Sequence, residues 1–301
     1  MKIKVTIGVC VKNCEHTVGN IVDRISAQDF PHENIEVLFV EEGSKDNTLS
    51  LIFFHAPTMN ISYRVYHHEW KGLGFSRNVV FKQSQGRYII WVDDGTLIPS
   101  DYVRKQVDFM ETHPVVGIAT GIIEFLPGKN YLETLENMIE LFFVYNNLGG
   151  PTKKLPGAGG SIYRVKAIQQ VGGFDENIQG ATEDTDIAYR ILSKGWQIFV
   201  TQVKYRRDFN SKLKKIWDKS FWYGYGAHFL LHKHEALNHI KYKGTPLAGF
   251  LEGMLISIVV YKLTHKKISF LMALHIFLKR LAWWNGFFKS HLDSYAPKEI
   301  M

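Results

Sequence analysis

Cysteine is almost absent from this chain of 301 residues, which has only Cys10 and Cys14. Two thiols so close together cannot build a disulfide framework, and no second ligand pair stands near them to complete a zinc site, so they read as reduced thiols lining a first strand and its loop. Internal repeats and low-complexity segments are also lacking. The first residues, Met1 to Val9, have basic side chains but no long apolar run and no small-residue cleavage site, so we expect no signal peptide and a cytoplasmic location. Net positive charge is missing from most of the chain: residues 201–301 carry 17 Lys and Arg against 6 Asp and Glu, so the overall +7 leaves the first 200 residues at −4. A basic last third points to an anionic surface as partner. That region has no RNA-binding or zinc-finger motif, and its aromatics lie among apolar runs, so an anionic membrane surface is favoured over nucleic acid.

What is present is alternation. Apolar, β-branched runs at 5–11, 35–40, 61–66 and 88–92 predict strands, and helix-like stretches at 17–27, 44–54 and 74–84 separate them. Right-handed crossovers then give an α/β fold with a mostly parallel sheet covered on both faces. Such sheets bind ligands beyond the carboxyl ends of their strands. Polar residues gather there: Lys12 and Asn13 after the first run, Glu41-Glu42-Gly43-Ser44 after the second, Asp93-Asp94-Gly95 after the fourth. A second block, about 115–200, holds Pro156-Gly157-Ala158-Gly159-Gly160-Ser161, then Val171-Gly172-Gly173-Phe174-Asp175, then Thr182-Glu183-Asp184-Thr185-Asp186 at an expected helix start with Thr182 as its cap.

From about residue 211 the chain turns basic, aromatic and apolar. Residues 247–263 form an apolar stretch interrupted by Glu252, somewhat short of the roughly 20 residues of a spanning helix. Residues 268–288 contain His275, Lys279 and Arg280 and end in Trp283, Trp284, Phe287 and Phe288, a pattern suited to the headgroup layer. The expectation is a pair of peripheral interfacial helices; two transmembrane helices, or a soluble helical subdomain, are the alternatives.

Taken in order, these marks resemble the family 2 glycosyltransferases over roughly residues 4–226. Gln28-Asp29-Phe30-Pro31 resembles the family's turn, Glu41-Glu42-Gly43-Ser44-Lys45-Asp46-Asn47-Thr48 its second-strand motif with both aspartates replaced by glutamate, Gly74-Phe75-Ser76-Arg77-Asn78 its Ala-Arg-Asn segment, and Asp93-Asp94-Gly95 its Asp-x-Asp signature. The resemblance implies a GT-A fold, Rossmann-like and mixed but mostly parallel, over residues 1–210, with a nucleotide-binding half at 1–100 and an acceptor half at 101–210, followed by a helical, membrane-contacting region at 211–301. It implies a nucleotide-sugar donor bound by Glu41, Glu42, Arg77, Asn78, Asp93 and Asp94, an acceptor loop at Gly159, Gly160 and Ser161, and Asp184 as general base with Glu183 positioning acceptor or base.

Two departures bear on the metal. The signature normally holds Mg2+ or Mn2+, yet its second Asp falls on Gly95, and the stretch where the family carries a histidine reads Lys204-Tyr205-Arg206-Arg207-Asp208. Either Asp93 and Asp94 form a looser metal site with water, or Lys204, Arg206 or Arg207 neutralises the leaving group instead. No Gln-x-x-Arg-Trp follows the aromatic segment at 220–226, which disfavours a processive polymer synthase. The implied activity is transfer of one sugar, with inversion, from a nucleotide-diphosphate donor to the hydroxyl of a saccharide or lipid-linked acceptor at the cytoplasmic membrane face. The alternative is a nucleotide-sugar-binding or nucleic-acid-binding protein that has lost catalysis.

Overall fold

The structure is a computed structural model that describes residues 3–124, 128–145, 149–178, 180–208, 212–237 and 245–295. The chain divides into two compact units, one built from 1–124, 148–176 and 184–208, the other from 125–147, 177–183 and 209–301.

In the first unit, β1 (Val5–Val11), β2 (Ile35–Glu41), β3 (Ser62–His67) and β4 (Tyr88–Trp91) run parallel in the order β3-β2-β1-β4. Period-two alternation serves both faces of the sheet. Val5, Ile7, Val9, Val37, Phe39 and Ile90 pack into one core, which receives α1 (Val18–Ser26), α2 (Thr48–His55) and α4 (Tyr102–Thr112). Leu38, Val40, Ile89 and Trp91 pack into the other, against α3 (Leu73–Gln83), α6 (Val165–Gln170) and α7 (Glu183–Ser193). β1 and β2 are buried along their whole length because helices cover both faces, whereas the edge strand β3 is only half-buried.

Beyond β4 the sheet turns mixed. β8 (Ser161–Arg164) lies antiparallel between β4 and β6 (Val116–Ile123); β9 (Gln197–Arg207) runs parallel to β6 and antiparallel to the short β5 (Thr96–Leu97) and β7 (Gly150–Thr152). Strand order reverses between β1 and β4, so the crevice at their carboxyl ends is the topological switch point where an open α/β sheet takes its ligand.

The second unit is helical: α5 (Tyr131–Tyr145), α8 (Leu213–Lys233), α9 (Pro246–Thr264) and α10 (Met272–Leu292). Leu135 and Met138 of α5 pack with Ile256, Val260, Met272 and Ile276. α8 and α10 approach backbone to backbone, because a Cβ at Gly224 would strike the Trp283 carbonyl and one at Gly286 the Phe221 carbonyl. Among the described residues one helix, α9, is long and apolar enough to cross a membrane; α10, with Lys279, Arg280 and Lys289, does not join it.

Candidate functional site

The loops leaving β1 and β2 are tied to each other. Asn13 takes a left-handed φ of 52°, donates its N–H to Ser44 Oγ at 2.8 Å and accepts Lys45 N–H at Oδ1 at 2.8 Å. Cys14 donates its backbone N–H to Thr48 Oγ1, and burial pushes its thiol up to about 12, so it stays protonated. Both cysteines are buried thiols outside any disulfide.

Glu41 and Glu42 differ sharply in what they face. Glu41 has both oxygens engaged, Oε1 by the Ser44 N–H and Oε2 by His67 Nδ1, each at 2.6 Å. Burial opposes its ionisation, but those hydrogen bonds and the nearby imidazole outweigh burial and lower its pKa. Glu42, 2% exposed, leaves Oε1 without a partner. Burial raises it to about 7, against the pull of Ser76, Arg77 and Lys12, and the charge of Asp93 adds to the rise.

Across the crevice, Arg77 is buried beneath the Trp91 ring at 4.8 Å and gives one amino group to both oxygens of Asp93 at 3.1 and 3.2 Å. Asp94 is exposed and accepts the Thr17 hydroxyl at 2.6 Å. Gly95 has φ +79°, and a Cβ there would lie 2.6 Å from the Asp208 carbonyl oxygen, so a ligating side chain has no room at this position. Asn78 turns away from the crevice. Its amide donates to the Phe174 carbonyl and Glu176, and its oxygen accepts the Phe174 N–H, which pins the turn before α7.

The glycine loop crosses this floor. Gly160 donates its N–H to the Trp91 carbonyl at 2.9 Å, and Tyr205 donates its hydroxyl to the Gly159 carbonyl at 3.2 Å. Gly159 faces Asp93 so closely that a Cβ would sit 2.8 Å from Asp93 Oδ2. Ser161 is fully buried and bonds the Gly157 carbonyl, a loop-closing contact. At the preceding residue of the same loop, Asp184 Oδ2 accepts the Ala158 N–H at 3.2 Å, while Oδ1 accepts the Thr185 N–H at 2.7 Å. Adjacent residues of this loop thus face the two carboxylates, Gly159 toward Asp93 and Ala158 toward Asp184.

Of the other acids nearby, one has a structural duty. Asp186 is buried and ion-paired with Arg190, which also holds the Val171 and Gly173 carbonyls. Glu183 is 2% exposed at the start of α7. Thr182 does not cap that helix: its φ is +115° and its hydroxyl has no hydrogen-bond partner among the described residues. On β9 the alternation separates the two arginines. Arg207 lies on the Tyr205 face, across from Thr96, whereas Arg206 pairs with Glu124 at 2.7 Å and lines a separate polar cavity of about 670 Å³ with Arg24, Lys105 and Lys204.

A divalent cation would find two hard carboxylates here, Asp93 and Asp94. Among the described residues no group of three or more His, Cys, Asp or Glu side chains could hold a metal ion. Asp93 is already neutralised by Arg77. The donor set is therefore an open pair and not a closed cage. His67, Thr17, Thr96 and Tyr205 escaped the sequence reading; they reach the site only through strand pairing and loop contacts that motif spacing does not encode.

A family model described as Glycosyl transferase family 2 matches residues 6–172. Among curated proteins, the poly(ribitol-phosphate) beta-N-acetylglucosaminyltransferase TarS of Staphylococcus aureus is 26% identical over 111 residues, covering 37% of this chain and 19% of that protein. The beta-monoglucosyldiacylglycerol synthase of Synechocystis is 25% identical over 209 residues, 65% of this chain and 41% of its own length. WfaP of Escherichia coli, a UDP-Glc:alpha-D-GlcNAc-diphosphoundecaprenol beta-1,3-glucosyltransferase, is 28% identical over 138 residues, 42% of this chain and 53% of its own length. The chain thus spans about a fifth to about half of these relatives. Among solved structures, the mannosyltransferase PcManGT of Pyrobaculum calidifontis, in complex with GDP-Man and Mn2+, superposes with a TM-score of 0.71 at 15% identity, covering 97% of this chain and 88% of that one. TarS 1–349 with UDP-GlcNAc gives 0.57 at 17% identity, covering 97% and 92%.

Proposed function

The chain belongs to glycosyl transferase family 2, and from that premise we propose that it transfers a sugar, with inversion at the anomeric carbon, from a nucleoside-diphosphate donor to an acceptor hydroxyl. The observation that carries this reading is the glycine loop whose adjacent residues Ala158 and Gly159 meet Asp184 and Asp93. Donor phosphates belong at the strand ends, where Lys12 and the buried Arg77 bring positive charge and helix and loop N–H groups are near. Asp93 and Asp94 are the residues that would hold a divalent cation, which when bound would neutralise the diphosphate.

Asp184 is the general base. Its hydrogen bonds from Ala158 and Thr185 fix the carboxylate and leave lone pairs for the acceptor hydroxyl, whose proton it takes as the oxygen attacks the sugar opposite the leaving diphosphate. The transfer requires one base on one side of the donor, which is the disposition expected for a single displacement with inversion.

The acceptor is lipid-linked in this reading, and the protein works on an anionic membrane surface. Two features of the helical unit support it. A cavity of about 320 Å³ is lined by Ile139, Phe143, Tyr223, Ile256, Ile276 and Trp283 with Lys279 and Arg280 at its wall, and α9 exposes Leu247, Leu251, Met254 and Leu255.

Asp184→Asn tests the catalytic assignment. Transfer is expected to fall roughly 10²–10⁴-fold, while donor binding, followed as a ligand-induced rise in melting temperature, is retained. Turnover near the wild-type rate would sink the base assignment.

A further inference from the structure

At the carboxyl ends of β2 and β3, the chemistry of one imidazole is set by its neighbour. The Glu41 carboxylate is 1% exposed and only accepts hydrogen bonds, so the 2.6 Å contact with His67 places the ring proton on Nδ1. In its neutral form the ring then keeps a lone pair on Nε2. His67 is the last residue of β3, its side chain is 49% exposed, and among the described residues Nε2 has no hydrogen-bond partner. Around it the strand ends converge: His68 donates its N–H to the Glu41 carbonyl at 3.1 Å, and Trp70, 44% exposed, lies 4.4 Å beneath Lys12 Nζ from the end of β1. The ends of β1, β2 and β3 thus offer an ammonium, an indole face and a directed lone pair to a flat heterocycle with an N–H on its edge.

We propose that His67, held in a single tautomer by Glu41, reads the nucleobase of the donor through Nε2. The assignment rests on the donor being a nucleoside diphosphate sugar. A lone pair at Nε2 selects bases with a ring N–H at the pairing edge, the N3–H of uracil or the N1–H of guanine. It disfavours cytosine and adenine, whose corresponding ring nitrogens carry lone pairs of their own. Glu41 is a positioning residue: it does not touch the base but decides whether Nε2 accepts or donates. This explains why a carboxylate at the mouth of a ligand crevice has no free oxygen of its own.

Glu41→Gln makes the sharpest test. The Ser44 N–H at Oε1 requires an acceptor, so the amide oxygen stays there and the amide nitrogen faces His67 Nδ1. That inverts the tautomer, and Nε2 becomes a donor. Binding of UDP, GDP, CDP, ADP and inorganic pyrophosphate to the full chain is measured by calorimetry. The wild type is expected to bind UDP or GDP at least about tenfold more tightly than CDP and ADP. His67→Ala is expected to shrink that ratio to about threefold or less, and Glu41→Gln to move it toward CDP or ADP. Pyrophosphate affinity should be unchanged in both, which separates loss of base reading from damage to the fold. Base preference that survives His67→Ala, or a wild type that prefers CDP or ADP, would overturn the assignment alone. Failure of every nucleoside diphosphate to bind would remove the donor reading along with it.

Discussion

Glu42 shows how one carboxyl couples the crevice to pH. With its folded pKa raised to about 7 by burial, the native state holds a proton that the unfolded chain releases near 4.5. Where the native state binds more protons, stability falls as pH rises. Its contribution is therefore fully present below about 4.5 and lost as pH climbs through 7, a span worth at most ~3 kcal/mol. Glu42→Gln keeps the shape of the protonated form and cannot ionise. Melting curves between pH 5 and 8 should show the wild type losing stability relative to the variant, with the variant the more stable at pH 8. Parallel curves would mean that Glu42 does not titrate in this window. The same residue scale shows where motif reading ends. Glu41 and Glu42 are adjacent and chemically alike in sequence, yet one is locked to His67, 26 residues onward, and the other is left with an open oxygen. Arg206 and Arg207 are likewise neighbours whose pairing with Leu97 and Thr96 sends them to opposite faces. Spacing along the chain placed all four near the site, and only the register of β2, β3, β5 and β9 distributes their duties.

At the scale of elements, β1, β2 and β4 were legible because burial on both faces demands continuous apolar and β-branched runs. The two-residue β5 and three-residue β7 were not legible, since so short a strand exists only by pairing with β9. The place of α5 was not legible either. Its Glu136 points at α10, where His275 Nε2 lies at 2.6 Å and Lys279 Nζ at 2.7 Å, more than a hundred residues away in sequence. Burial opposes the charge on Glu136, but the His275 hydrogen bond and the Lys279 charge outweigh it and lower the carboxyl to about 2. Here the sign is opposite to that of Glu42: the stabilisation is present above about 4.5 and lost as pH falls through 2. Glu136→Gln should cost about 2–3 kcal/mol in denaturant titrations at pH 7, and the gap from wild type should close as the medium is acidified toward pH 2. An equal gap at both pH values would assign the loss to packing instead of charge.

For the whole molecule, the first unit carries the acidic crevice and the second the basic and apolar helices, which matches the charge asymmetry of the sequence. α9 is the element whose surface most needs a partner. Gly249, Gly253, Ile256, Ser257 and Val260 face its own unit, while Leu247, Leu251, Met254, Leu255 and Ile258 form the opposite, exposed stripe, with Leu255 at 68%. A helix with one face packed on protein and the other apolar and open lies along a hydrocarbon boundary more readily than it crosses one. Lys262, Lys266 and Lys267 follow at its end and add attraction to anionic headgroups. Replacing Leu251 and Leu255 together by glutamate removes two side chains from the boundary and adds charge of the repelled sign. Each leucine no longer buried forfeits about 1.5–3 kcal/mol, so flotation with phosphatidylserine-containing vesicles should weaken more than tenfold, while the melting temperature and donor binding stay as in the wild type because both positions are exposed. Unchanged flotation would rule the stripe out as the membrane contact. If instead the wild type ignores vesicles and elutes as a dimer that the double variant dissolves, the stripe belongs to a second copy of the chain.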